Sequence, residues 1–115
     1  MWFKTRIGLC SVIEPFEVRI GKYPKEKLPY YLIFARSLND SDVRYKGIFG
    51  NLTAPGRYAH LARFEMSEAA EPKIAQCMML IEEAIASESR ICDLSAAGDA
   101  DAWASATNDW FLVRW

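Results

Sequence analysis

Between Pro72 and Ala86 the apolar residues Ile74, Cys77, Met78, Ile81 and Ile85 recur at helical spacing. Steps of three and four residues place them on one stripe of an α-helix, with Gln76, Glu82 and Glu83 off it. Pro72 suits the first turn, where its missing N–H leaves no hydrogen bond unmade. Ser67 or Glu71 is placed to cap the start. A helix with one apolar stripe needs a surface to bury it against. Nearly everything before it alternates like strand, so the helix is expected to lie across one face of a sheet.

The strands are read from period-two alternation and turn chemistry. Trp2 to Ile13 forms the first, with a bend at Gly8. Glu14-Pro15 interrupts the ladder, and Phe16, Val18 and Ile20 alternate in the next strand. Tyr30 to Ser37 is apolar on both parities, as a central strand is. Val43 to Gly50 follows, then a turn over Asn51 to Gly56. In the strand from Arg57 to Met66, Tyr58, His60, Ala62, Phe64 and Met66 share one face. After the helix two readings stand: a stop at Ser87-Glu88-Ser89 with a short strand from Arg90 to Leu94, or a helix continuing to Ala97 with Gly98 behind it. Asp99 to Thr107 reads as a short helix capped by Asp99, and Trp110 to Trp115 as a terminal strand.

These elements define an α+β fold: a five- or six-stranded, mainly antiparallel curved sheet in a meander, with one main amphipathic helix packed on one face. A strongly curled, half-open barrel is its variant. At 115 residues the chain is expected to form one domain, 1–115.

Composition narrows the setting. Hydrophobic residues make up 51% and charged residues 25%, the balance of a water-soluble core-forming chain. No apolar run approaches the roughly 20 residues of a membrane-spanning helix. The start, Met1 to Arg6, lacks a signal-like apolar region, and three cysteines fit no paired disulfide framework, so a cytoplasmic protein is expected. Charge is uneven: residues 1–66 carry eleven Lys/Arg against six Asp/Glu, and residues 67–115 carry three against nine. Packed together, the two halves largely cancel; kept apart, they would orient an anionic partner or a dimer.

The chemistry-bearing patterns are mostly missing. There is no phosphate-binding glycine loop, no dinucleotide fingerprint and no G-x-S-x-G elbow. One histidine and no close cysteine pair argue against zinc, and Asp99, Asp101 and Asp109 lack the spacing of a calcium or magnesium loop. No cofactor is expected. Arg19, Arg36, Arg44, Lys46 and Arg63 outline a basic sheet face, but Lys46-Gly47-Ile48-Phe49-Gly50 is only a faint echo of an RNA-binding strand, so nucleic acid is disfavoured. His60 with Cys10 would make a nucleophile pair only if the first strand lay beside it, and catalysis is disfavoured.

Two function classes remain. The first is a small-ligand domain with a pocket between the inner sheet face and the helix. Tyr45, Tyr58, His60, Phe64 and Met78 would bind the ligand, with Phe49 and Ile81 beside them. The second is a non-enzymatic interaction module of the inhibitor, immunity or accessory type. It would act on a protein partner, or on a second copy, through Trp2-Phe3, the Trp110–Trp115 run and the charge split.

Overall fold

The computed structural model describes residues 1–6, 8–22, 30–39, 43–47, 50–54, 58–99 and 102. Among these residues eight strands and one helix follow in chain order: β1 (Trp2–Thr5), β2 (Gly8–Ser11), β3 (Phe16–Lys22), β4 (Tyr30–Ser37), β5 (Val43–Gly47), β6 (Gly50–Ala54), β7 (Tyr58–Glu65), α1 (Ala70–Ala86) and β8 (Ile91–Asp93). The fold is α+β, but the strands form two sheets. One has five strands in the order β6-β5-β2-β1-β8, and the other has three in the order β3-β4-β7. All pairings are antiparallel except β1 with β8.

Two reversals account for the departure from one curved meander. The expected strand from Trp2 to Ile13 folds back on itself, with Thr5 opposite Gly8 and Phe3 opposite Cys10. Gly8 has φ 132°, a conformation open to glycine and strained for other residues, and the Thr5 hydroxyl donates to the Gly8 carbonyl at 2.8 Å. The second reversal splits the expected strand from Val43 to Gly50. Gly47 lies opposite Gly50, and Asn51 to Ala54 is strand β6 rather than turn. Each hairpin thus adds a strand, and the chain crosses between sheets after β2, β4 and β6, and again after β7 by way of α1.

The core lies between the layers. Phe3 and Cys10 of the first sheet, and Val12 just beyond β2, pack with Ile33, Ala35, Ala59, Leu61, Ala62 and Phe64 of the second. Phe3 meets Phe16 edge-on, ring centroids 5.9 Å apart and planes at 86°, the geometry the ring quadrupoles favour. The helix contacts β7 and β8 and closes this core with Ala70, Cys77 and Ile81, while Ile74, Met78 and Ala84 pack at its margin. Its start departs from expectation. It begins at Ala70, two residues before Pro72, and no side chain caps it. Ile85, expected on the buried stripe, is 49% exposed.

After the helix the chain takes the first of the two readings: it stops at Ser87, and β8 follows. The Ala96–Asp99 segment then straps the molecule. Arg6 donates to the carbonyls of Ala96, Ala97 and Gly98, and the Asp99 amide donates to the Arg63 carbonyl at 2.7 Å. The Asp99 carboxylate accepts from the Glu65 amide at 2.8 Å and from Lys73 at 3.1 Å. Gly98 has φ 82°, and a Cβ there would sit 2.7 Å from the Arg63 carbonyl oxygen. The close approach of this strap to β7 therefore requires glycine. The Trp110–Trp115 run and most of the Asp99–Thr107 segment lie outside the described residues.

Candidate functional site

The five residues expected to bind a ligand are placed by β5, β7 and α1. Between β4 and β7 the register passes from Ile33 opposite Ala62 to Phe34 opposite His60, leaving Leu61 as a bulged extra residue. A bulge exchanges the faces of the residues on either side of it. Ala59, Leu61, Ala62 and Phe64 all join the core between the sheets. His60 instead stands opposite Phe34, and Arg63 opposite Leu32, on the other face of the three-stranded sheet. All four are buried there. Phe64 belongs to the core between the sheets, and Met78 packs at the margin of that core. Tyr45 belongs to the five-stranded sheet, opposite Cys10 and Leu52, and Tyr58 opens β7 opposite Arg36; the side chains of both tyrosines lie outside the described residues, as does Phe49.

His60 and Arg63 form a defined polar pair. Nη2 of Arg63 lies 3.1 Å from Nδ1 of His60. A guanidinium only donates, so Nδ1 must accept and the ring proton sits on Nε2. Burial, reinforced by the charge of Arg63, holds the His60 pKa well below 6.5 and keeps the ring neutral. Cys10 faces the core between the sheets and is not on the His60 face. Burial pushes the Cys10 thiol up to about 12, against a lowering by the Phe3 backbone, and a thiol so shifted is a poor nucleophile at neutral pH. Burial likewise takes Cys77 to about 12 and raises Cys92. Among the described residues no cluster of three or more His, Cys, Asp or Glu is placed to hold a metal ion. The expected basic face is divided. Arg19 and Arg36 share Glu17 at 3.3 and 3.0 Å, Arg63 is buried, and Arg44 and Lys46 stand on β5 of the other sheet.

A wide concavity among the described residues lies elsewhere. It is an open groove of about 840 Å³ at the C-terminal end of α1. Trp2, Pro15, Phe16 and Ile85 give it an apolar lining, and Glu14, Glu88 and Arg90 stand along it. Three pieces of chain meet there. The Glu14-Pro15 bend leads from the first sheet to the second. Trp2 opens β1, and its amide donates to the Arg90 carbonyl at 3.0 Å. The helix terminus supplies Ile85 and the turn after it.

That turn has a notable conformation. The Glu88 amide donates to Ile85 and the Ser89 amide to Ala84, the paired bonds of a Schellman C-cap. Its left-handed position usually holds glycine, but here Glu88 occupies it with φ 55°. The last helical turn carries no basic residue, and among the described residues no ion pair engages Glu14, Glu88 or Arg90. The groove was not legible in the sequence, because its residues are far apart along the chain. Its two local signals, Glu14-Pro15 and Ser87-Glu88-Ser89, read as a strand break and a helix stop.

A smaller recess of about 350 Å³ lies between the helix and the strap, lined by Phe64, Lys73, Cys77, Leu80 and Asp99. Its Lys73–Asp99 pair is already engaged at 3.1 Å.

Fold and groove together define a small, compact α+β domain: two sheets, one covering helix and an open cleft at the helix end. No described helix is long and apolar enough to cross a membrane. No protein-family model matches the chain, and neither the curated proteins nor the solved structures give a significant match.

Proposed function

We propose that this chain is a binding domain that takes a small, partly apolar ligand in the groove at the end of α1. The observation that carries the reading is the groove itself: its volume of about 840 Å³ falls within the roughly 300–1,000 Å³ of small-molecule sites, and aromatic and aliphatic side chains dominate such linings. The ligand is placed here rather than at Tyr45, Tyr58, His60, Phe64 and Met78. Phe64 is withdrawn into the core and His60 is turned to the opposite face. A thermal-shift screen of metabolites against the full chain and an Ile85→Trp variant tests the proposal. Ile85 is half exposed, so the larger ring fills the groove without overpacking the core. Compounds should stabilise the parent chain and lose that effect in the variant. Equal stabilisation of both, or none of the parent, contradicts it.

A second reading, an interaction module, is supported by Met79, Leu80 and Ile91, which are 58%, 43% and 50% exposed on the helix and the edge strand β8. A stoichiometric protein partner or a stable homodimer, lost on Leu80→Glu and Ile91→Glu, would favour it over the ligand reading.

A further inference from the structure

The charge and strain along the groove specify its ligand further, resting on the reading that the groove binds one. We propose that the groove takes a small organic cation: an ammonium or quaternary ammonium group carried on an apolar body. Four observations converge. Glu14 and Glu88 stand along the groove with two carboxylates; of the two cations beside them, the Met1 ammonium is already engaged, donating to the Val12 carbonyl at 2.8 Å, which leaves the Arg90 guanidinium. The helix that ends there presents the negative end of its dipole, with Glu82 and Glu83 close to that end and no basic residue in the last turn to offset it. The lining includes two aromatic rings, Trp2 and Phe16, and aromatic faces attract cations that shed their water. Finally, Glu88 is held at φ 55° in a position where glycine is unstrained. A left-handed glutamate is costly for folding alone, and this strained residue is one that lines the groove.

Arg90 makes the proposal directional. Beside the Met1 ammonium, which is held by the Val12 carbonyl, it is the one cationic side chain among the described residues lining the opening, and it repels a cationic guest while attracting an anionic one. Removing Arg90 and neutralising Glu88 must therefore change affinity in opposite directions, and the sign identifies the guest.

The test is an NMR titration of the full chain, Glu88→Gln and Arg90→Ala with benzyltrimethylammonium, and in parallel with phenylacetate. Gln keeps the side-chain length and the backbone geometry at 88, so folding is preserved. The proposal expects saturable shifts with the cation at Trp2, Ile85 and Glu88. It expects affinity about two- to fivefold weaker in Glu88→Gln and stronger by a similar factor in Arg90→Ala, with no saturable response to phenylacetate. Binding of phenylacetate in the groove, weakened by Arg90→Ala, overturns the cation assignment and leaves the groove reading standing. No groove shifts with either probe overturn both.

Discussion

Arg63 donates through Nη2 to Nδ1 of His60 at 3.1 Å, with both side chains withdrawn from solvent. The bond exists because the bulge at Leu61 turns His60 onto the same face as Arg63, three residues on. The pair fixes His60 as a neutral imidazole, and that has a consequence for acid stability. The unfolded chain protonates this residue near pH 6.5, whereas the folded chain does so only well below it. Between those values the unfolded state binds the extra proton, so stability falls as pH falls, by up to about 1.4 kcal/mol per pH unit. Asp93 and Asp99, both held below 3.8, add acid sensitivity only at lower pH. Urea midpoints at pH 7.5 and 5.0 should drop for the parent chain and drop less for His60→Asn, which keeps an acceptor but cannot titrate. Equal drops would contradict a buried neutral histidine.

Gly98→Ala should be strongly destabilising. The positive φ alone costs about 1–3 kcal/mol for a side chain, and the new methyl would press on the β7 backbone at 2.7 Å. Chemical denaturation measures the loss; a change within a few tenths of a kcal/mol would mean the strap does not lie against Arg63.

Glu88→Gly should stabilise the protein, by about 1 kcal/mol, because glycine relieves the left-handed C-cap. The same change should weaken cation binding. A gain in stability paired with a loss of binding is expected of a residue retained for function rather than folding. A stability loss would show that Glu88 makes folded-state contacts that outweigh its backbone strain.

Ile81 and Ile85 share the helical stripe, but only Ile81 is buried, at 1% exposure against 49%. Ile81→Ala should cost about 2–5 kcal/mol, the range for a core truncation, and Ile81→Asp should unfold the chain. Ile85→Ala should cost far less. Similar losses at both positions would place the helix in a different rotation.

The elements with strong local signals were legible in the sequence. Tyr30–Ser37 is the central strand of its sheet at the boundaries its apolar run suggested, and the helix ends at Ala86, in line with one of the two readings the sequence left open. The layering was not legible, because one sheet became two through reversals at Gly8 and between Gly47 and Gly50, where a glycine alone does not distinguish a bend from a hairpin. Strict alternation puts His60 on the core face because it hides a bulge: Leu61 is one more apolar residue in an apolar run, and only pairing with β4 reveals it as the extra residue. Cys92 is buried on β8, where it pairs with Phe3 of β1. Of the expected site, the core positions Phe64 and Met78 were readable as apolar-face residues. The groove was not, since Trp2, Phe16 and Ile85 converge only through the fold.

The most direct test of the groove as the functional site is the set of intermolecular NOEs from bound benzyltrimethylammonium. The account predicts contacts from its methyl and ring protons to the Trp2 and Phe16 rings and the Ile85 methyls. Contacts instead to Phe64 and Met78, or to the ring of His60, would contradict it.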